Sequence, residues 1–239
     1  MKKLLFSFLL LAASSTALFS QKTINDANAE KRSVGSFHGI DVGTGIELSL
    51  TEGTSEEVAV SAATTEWRDK IVTKVENGIL KIYYENKFKS MNNRKEKKEL
   101  KAYVSYKMLD KLQASTGADV KIVGVLKSAT LDIDASTGAI INGEVSASSL
   151  KVDQSTGSKV TLSGKADKLE ISGDTGSRFK GEEMATSNCS ASVSTGATVA
   201  VKAEKELQVK ANTGGKVTYT GNAVIKEVKT STGGSVSKI

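Results

Sequence analysis

From Leu112 to Ile239 the chain alternates apolar and polar residues in short runs, such as Leu150-Lys151-Val152-Asp153 and Val160-Thr161-Leu162-Ser163. Alternation with period two is the pattern of a strand that buries one face. The runs are interrupted by one recurring phrase, a small polar residue followed by Thr-Gly, with threonines at Thr116, Thr137, Thr156, Thr175, Thr195, Thr213 and Thr232. Those threonines are 21, 19, 19, 20, 18 and 19 residues apart. A fixed period near 20 predicts a solenoid in which each repeat is one coil.

The register within the repeat assigns each position. Ile133, Val152, Ile171, Ala191, Val209 and Val228 stand four residues before their threonine, and Leu131, Leu150, Leu169, Cys189 and Leu207 stand six before. Val120, Ile141, Val160, Phe179, Val199, Val217 and Val236 follow it by four. These are the inward positions of two strands joined by a tight turn, where Gly supplies a positive φ and Ser, Thr, Asp or Asn bond locally to backbone. A second glycine in several copies, such as Gly143 and Gly164, marks a further bend, so each coil has two strands and a short third side. The first and last copies carry Asp110 and Lys226 where the middle ones carry Leu, as expected of terminal rungs that cap a column.

Ahead of the repeats, Gly45-Ile46-Glu47-Leu48-Ser49-Leu50 and Glu57-Val58-Ala59-Val60-Ser61 read as strands, and Ala63 to Ile71 as one short helix started by Thr64 or Thr65. Trp67 on that helix is expected to pack as a lid on the first coils. Asn77-Gly78 between alternating arms predicts a hairpin. Residues 33–110 are therefore read as wider, irregular coils and a hairpin continuous with the seven repeats of 111–239, one domain over 33–239. The pair Thr44-Gly45 hints at an eighth, degenerate corner. The fold expected is all-β, a parallel β-solenoid with coils of 19–20 residues.

Met1-Lys2-Lys3, the apolar run Leu4 to Ala13 and the small and polar residues to Ser20 describe a secretory signal peptide over 1–20. A polar segment, 21–32, is expected to be flexible. No later run is long enough to span a bilayer as a helix. The mature chain is thus expected to be exported: periplasmic, at the outer surface, or extracellular. The net charge of +6 is concentrated around Lys87, Lys89, Arg94, Lys95, Lys97, Lys98 and Lys101. This run is a candidate landing patch for an acidic partner, against the plainer reading of a solvated loop. Nucleic acid is disfavoured by the poverty of aromatic residues that stacking would use.

Chemistry is sparse. Asp174-Thr175-Gly176 has the letters of an aspartic protease but falls in register with the other corners, and no second Asp-Thr-Gly faces it. His38 is the only histidine and Cys189 the only cysteine, which argues against a zinc site or a Ser-His hydrolase. Cys189 occupies a core leucine slot and reads as a small hydrophobe. Among Asp119, Asp132, Asp134 and Asp153, the last two stand three residues before their threonines, so they should stack on adjacent coils ~5 Å apart. Such a pair suits a calcium site, the acidic cluster of a polysaccharide lyase, or simply a solvated face with Lys151 alongside. No cofactor is expected, with calcium as the one alternative.

The order Phe37-His38-Gly39-Ile40-Asp41-Val42, the hairpin Val75 to Ile82, and Tyr103-Val104-Ser105-Tyr106 leading to Leu112-Gln113-Ala114-Ser115-Thr116-Gly117 resemble the bacterial putative auto-transporter adhesin, head GIN domain family. The resemblance implies a secreted, right-handed β-helix with a role in adhesion and no assigned catalytic residue. The function expected is therefore a non-enzymatic, adhesin-like surface or periplasmic module that binds a glycan or protein partner and has room for homo-oligomers. The alternatives are a lyase-like β-helix enzyme and a purely structural envelope protein. Candidate contacts are Lys89, Arg94, Lys95, Lys97, Lys98, Asp134 and Asp153.

Overall fold

The structure, a computed structural model, describes residues 26–85 and 97–239. The expected signal segment over 1–20 and the stretch holding Lys87, Lys89, Arg94 and Lys95 lie outside the described residues. In chain order the elements are β1 (Glu30–Arg32), β2 (Gly39–Val42), β3 (Glu47–Glu52), β4 (Glu57–Ser61), the helix α1 (Thr65–Arg68), β5 (Ile71–Glu76), β6 (Ile79–Tyr84), β7 (Lys101–Tyr106) and β8 (Lys111–Ala114). There follow β9 (Asp119–Ala135), β10 (Ile140–Gln154), β11 (Lys159–Gly173), β12 (Arg178–Val193), β13 (Thr198–Ala211), β14 (Lys216–Thr220), β15 (Val224–Thr230) and β16 (Ser235–Lys238).

The fold is a parallel β-solenoid. Each long strand from β9 to β13 is most of one coil and pairs in parallel with the coils before and after it. Inward positions stack like on like: Leu150 lies between Leu131 and Leu169, and Cys189 continues the row to Leu207. All five are buried. Val120, Ile141, Val160, Phe179, Val199 and Val217 form a second buried row on the other side of the corner.

The Thr-Gly corners hold this register. The seven repeat threonines have φ between 46° and 51°, and their glycines between 69° and 77°. Two successive positive φ values mark a type I′ turn. The threonine takes a left-handed conformation as well as the glycine, at a cost for a β-branched residue. Two sets of hydrogen bonds hold it there. Within a corner, the N–H of Ala118 donates to Ser115 O at 3.1 Å; between corners, the N–H of Gly117 donates to Thr137 O at 3.0 Å and that of Gly138 to Thr156 O at 2.9 Å. This ladder runs from the Gly45 N–H on Thr116 O to the Gly214 N–H on Thr232 O, so Thr44-Gly45 is an eighth member.

Differences in coil length are absorbed away from the corner. Register shifts fall between Asn142 and Glu144, Thr161 and Gly164, Gly181 and Ala185, and Thr186 and Asn188, and between Leu207 and Gln208 on the last rung. Most of them flank the second glycines. A bulge there swallows extra residues without turning inward side chains outward.

The base departs from the expected continuous coils. β2 and β3 form one rung, but the rung on one side of it is β6 with β7 and the rung on the other is β8 with β9. The first-made rung is thus inserted between two made later. Beneath β6 and β7, β5 and β4 run antiparallel to the column, and β1 closes the edge antiparallel to β4. Antiparallel pairing arises because Asn77-Gly78, with φ of 52° and 75°, folds β5 directly back on β6. Residues 85–100 join β6 to β7 in place of a Thr-Gly corner. Asp110 is consequently no end cap. β2 lies beneath β8, Leu109 one position earlier is the buried residue, and Asp110 turns to His38. Lys226 does stand on the last rung, at a bulge, paired with Glu206 at 3.2 Å. The helix is shorter than expected, one turn capped by Thr64, whose Oγ1 accepts from the Trp67 N–H at 3.3 Å; Trp67 packs half-buried against the core.

Leu169 is fully buried in a middle coil. Leu169→Ala is expected to lower unfolding free energy by about 2–5 kcal/mol, and Leu169→Asp, which buries a charge, to abolish cooperative unfolding altogether. Denaturant titration followed by circular dichroism reads both; a sharp native-like transition in Leu169→Asp would be incompatible with the stacked core.

Candidate functional site

Each coil turns outward positions to solvent on either side of the corner. On the side before it, three residues ahead of the threonine, Asp41, Gln113, Asp134, Asp153, Ser172, Ser192, Lys210 and Lys229 form one continuous row in register. Asp134 and Asp153 are neighbours in it, as the spacing predicts. Neither stands free: Gln113 Nε2 donates to Asp134 Oδ2 at 3.1 Å, and Lys151 Nζ lies 2.8 Å from Asp153 Oδ2. The Asp153 carboxylate in turn holds the Lys151 ammonium above its ordinary pKa. Asp132 sits on the same face beside Lys151, whereas Asp119 lies on the far side of the corner. Among the described residues no group of three or more His, Cys, Asp or Glu could hold a metal ion.

Beside this row runs a shallow groove of about 290 Å³ lined by residues that include Asp134, Asp153, Asp174, Ser155, Ser172 and Ser194. Asp174 serves the corner. Hydroxyls of Thr195 and Ser194 and the Thr175 N–H bond to its carboxylate and hold its pKa below the ordinary 3.8, with the Ser194 Oγ at 2.9 Å. Ser231 Oγ makes the same cross-rung bond to Asn212 Oδ1 at 2.9 Å. The protease-like letters are therefore a turn motif that a neutral amide performs equally well.

Other placements follow the core. Cys189 is buried, and burial pushes its thiol up to about 12. Lys98 stacks its ammonium 4.3 Å from the Tyr84 ring centre, at the edge of the base, while Lys97 is exposed. The structure does not bring these lysines to the Asp134–Asp153 row. Sequence reasoning missed two features. His38 Nδ1 lies 2.7 Å from Asp110 Oδ1, a pair 72 residues apart that only the β2–β8 register reveals. Behind the acidic row, Gln154, the register partner of Gly173 on the next rung, is buried with both amide atoms unpartnered. Its inward slot was readable from the alternation.

Comparison with known proteins agrees with this architecture. The putative auto-transporter adhesin, head GIN domain family matches residues 36–223, and the chain belongs to that family. A putative adhesin of Bacteroides fragilis superposes with a TM-score of 0.78 at 18% identity, over 88% of this chain and 96% of that one. A putative adhesin of Parabacteroides merdae gives 0.67 at 13% identity, over 88% and 95%. A putative lipid binding protein of Parabacteroides distasonis gives 0.65 at 16% identity, over 90% and 98%. Comparison with curated proteins gives no match. No helix among the described residues is long and apolar enough to cross a membrane.

Two outcomes test this placement. Asp174→Asn should keep its cross-rung bond. Because the native carboxylate is held below 3.8, its contribution is present above that pH and lost as pH falls through the folded value; melting temperatures of variant and wild type should thus agree near pH 7 and diverge in the variant's favour towards pH 3. Cys189 should resist a thiol reagent such as dithionitrobenzoate until denaturant is added; prompt labelling of the native protein would place it outside the column.

Proposed function

We propose that this protein is an exported, non-enzymatic, adhesin-like module that binds a glycan or protein partner through the outward faces of a rigid column. Membership of an adhesin family supports the reading, and so do the structural neighbours named adhesins. The observation that carries it is the packing. Inward positions from Ile40 to Tyr219 form one buried core, so the regularly spaced outward rows are what the chain has to offer a partner. On the face where catalysis would be sought, Asp134 and Asp153 are each engaged by a neighbour. We assign no cofactor or metal, and place the protein in the periplasm, at the outer surface or outside the cell. The run Lys89, Arg94, Lys95, Lys97 and Lys98 and the pair Asp134 and Asp153 are candidate contacts.

The test is the purified protein on a panel of glycans and extracellular-matrix proteins. Saturable binding to at least one surface is expected. Silence across the panel counts against the reading, as would new reducing ends released from polygalacturonate with calcium by the wild type but not by Asp153→Ala.

A further inference from the structure

We infer that the face following the Thr-Gly corner in the upper half of the column is a docking surface for an anionic polysaccharide. This rests on the reading of the chain as a binding module and names the partner's chemistry.

On that face the outward positions are the third and fifth residues after each threonine. Lys159 is the register partner of Arg178, Lys180 lies beside Thr161, and Lys216 stands above Thr198, which stands above Arg178. Lys159, Arg178, Lys180 and Lys216 are exposed, and none of their side chains makes a hydrogen bond or ion pair with another described residue. Several other cations on the column are matched, though Lys127, Lys165 and Lys210 form no ion pair with another described residue. Lys151 meets Asp153 at 2.8 Å, Lys168 meets Glu170 at 3.9 Å, Lys202 meets Glu204 at 3.3 Å and Lys226 meets Glu206 at 3.2 Å. Even the stacked carboxylates Asp134 and Asp153 each have a donor. The pair Lys159 and Arg178 is thus the reverse case, two like charges one rung apart, ~4.8 Å, with no counter-charge. Like charges directly opposite in a sheet repel, and a row of anions laid along the column removes that repulsion.

The spacing fits a linear polymer. Lys216 lies two rungs, ~10 Å, from Arg178, so charges are met repeatedly along one line. Between them Thr161, Thr198 and Thr218 offer hydroxyls to a sugar, and the Arg178 guanidinium suits the paired oxygens of a sulfate or carboxylate. At the edge of the face a groove of about 610 Å³ is lined by residues that include Asn142, Thr161, Ser163 and Lys180. Glu182 and Glu183 on its wall bound the cationic area. Among the described residues, the exposed large apolar ones, Met108, Val224, Ile225, Val228 and Ile239, lie on the turn before β8 and on the last rung, away from this face. That favours a soluble polymer over a bilayer. Threonine and alanine where stacking aromatics would stand favour a polysaccharide over nucleic acid.

The probe is immobilised dextran sulfate, with neutral dextran, double-stranded DNA and phosphatidylglycerol vesicles as comparisons. The full protein should bind dextran sulfate but not dextran, and more weakly as salt rises. The triple variant Lys159→Gln, Arg178→Gln, Lys180→Gln should lose roughly tenfold or more in affinity. The control Lys127→Gln, Lys165→Gln removes two exposed lysines that lie on another side of the coil; it should change little. Glu182→Gln with Glu183→Gln should bind more tightly. In the unsubstituted protein, dextran sulfate should protect Lys159 and Lys180, but not Lys127, from amine acetylation, a readout independent of how any variant folds. Equal loss in the control, unchanged binding by the triple variant, absent protection, or tighter binding of DNA or vesicles through the same lysines would each overturn the proposal. If the triple variant keeps every interaction found on the glycan and matrix panel, this surface falls while the adhesin-like reading stands.

Discussion

The structure depends on one repeated hydrogen bond, from the glycine N–H of each corner to the threonine carbonyl of the next. It fixes the rise between rungs and holds a β-branched residue in a conformation it would otherwise avoid. Because every corner is pinned above and below, the strain is shared by a stack rather than borne by a single turn. The flanking strands inherit this alignment. Leucine then meets leucine in the core, and outward side chains fall into straight rows.

Those rows give the column its chemical character. Length variation is shunted to bulges near the second bend, so a coil of 21 residues and one of 18 present the same positions beside the corner. The two sides of the corner nevertheless differ. On one, Lys151 pairs with Asp153, Lys229 with Glu227, and Gln113 donates to Asp134; on the other, cations in adjacent coils are left to face solvent. A regular scaffold with irregular decoration can be adapted face by face without disturbing its interior.

Much of this was legible in the sequence because a solenoid converts chain distance into spatial order. The threonine spacing gave the corners, the alternation gave the core including Cys189, and the common offset of Asp134 and Asp153 gave their place on adjacent rungs. The base was less legible because its order is set by long-range pairing. Nothing in the local pattern of β2 and β3 says that β6, β7, β8 and β9 enclose them. The same gap made Asp110 read as a cap and hid its contact with His38. The lysine row could be drawn from the repeat register, but whether each lysine had found a counter-charge needed side-chain positions.

The enclosed rung bears on how the molecule is made. A chain emerging from its amino end leaves one hydrogen-bonding edge of β2 unfilled until Ala114 has arrived, and one edge of β3 until Val123. The column cannot zip upward from its foot as each coil appears. Its lowest floors must be assembled together, and in a nascent or threading chain that delay keeps the amino-terminal part open until the first long coil is being delivered.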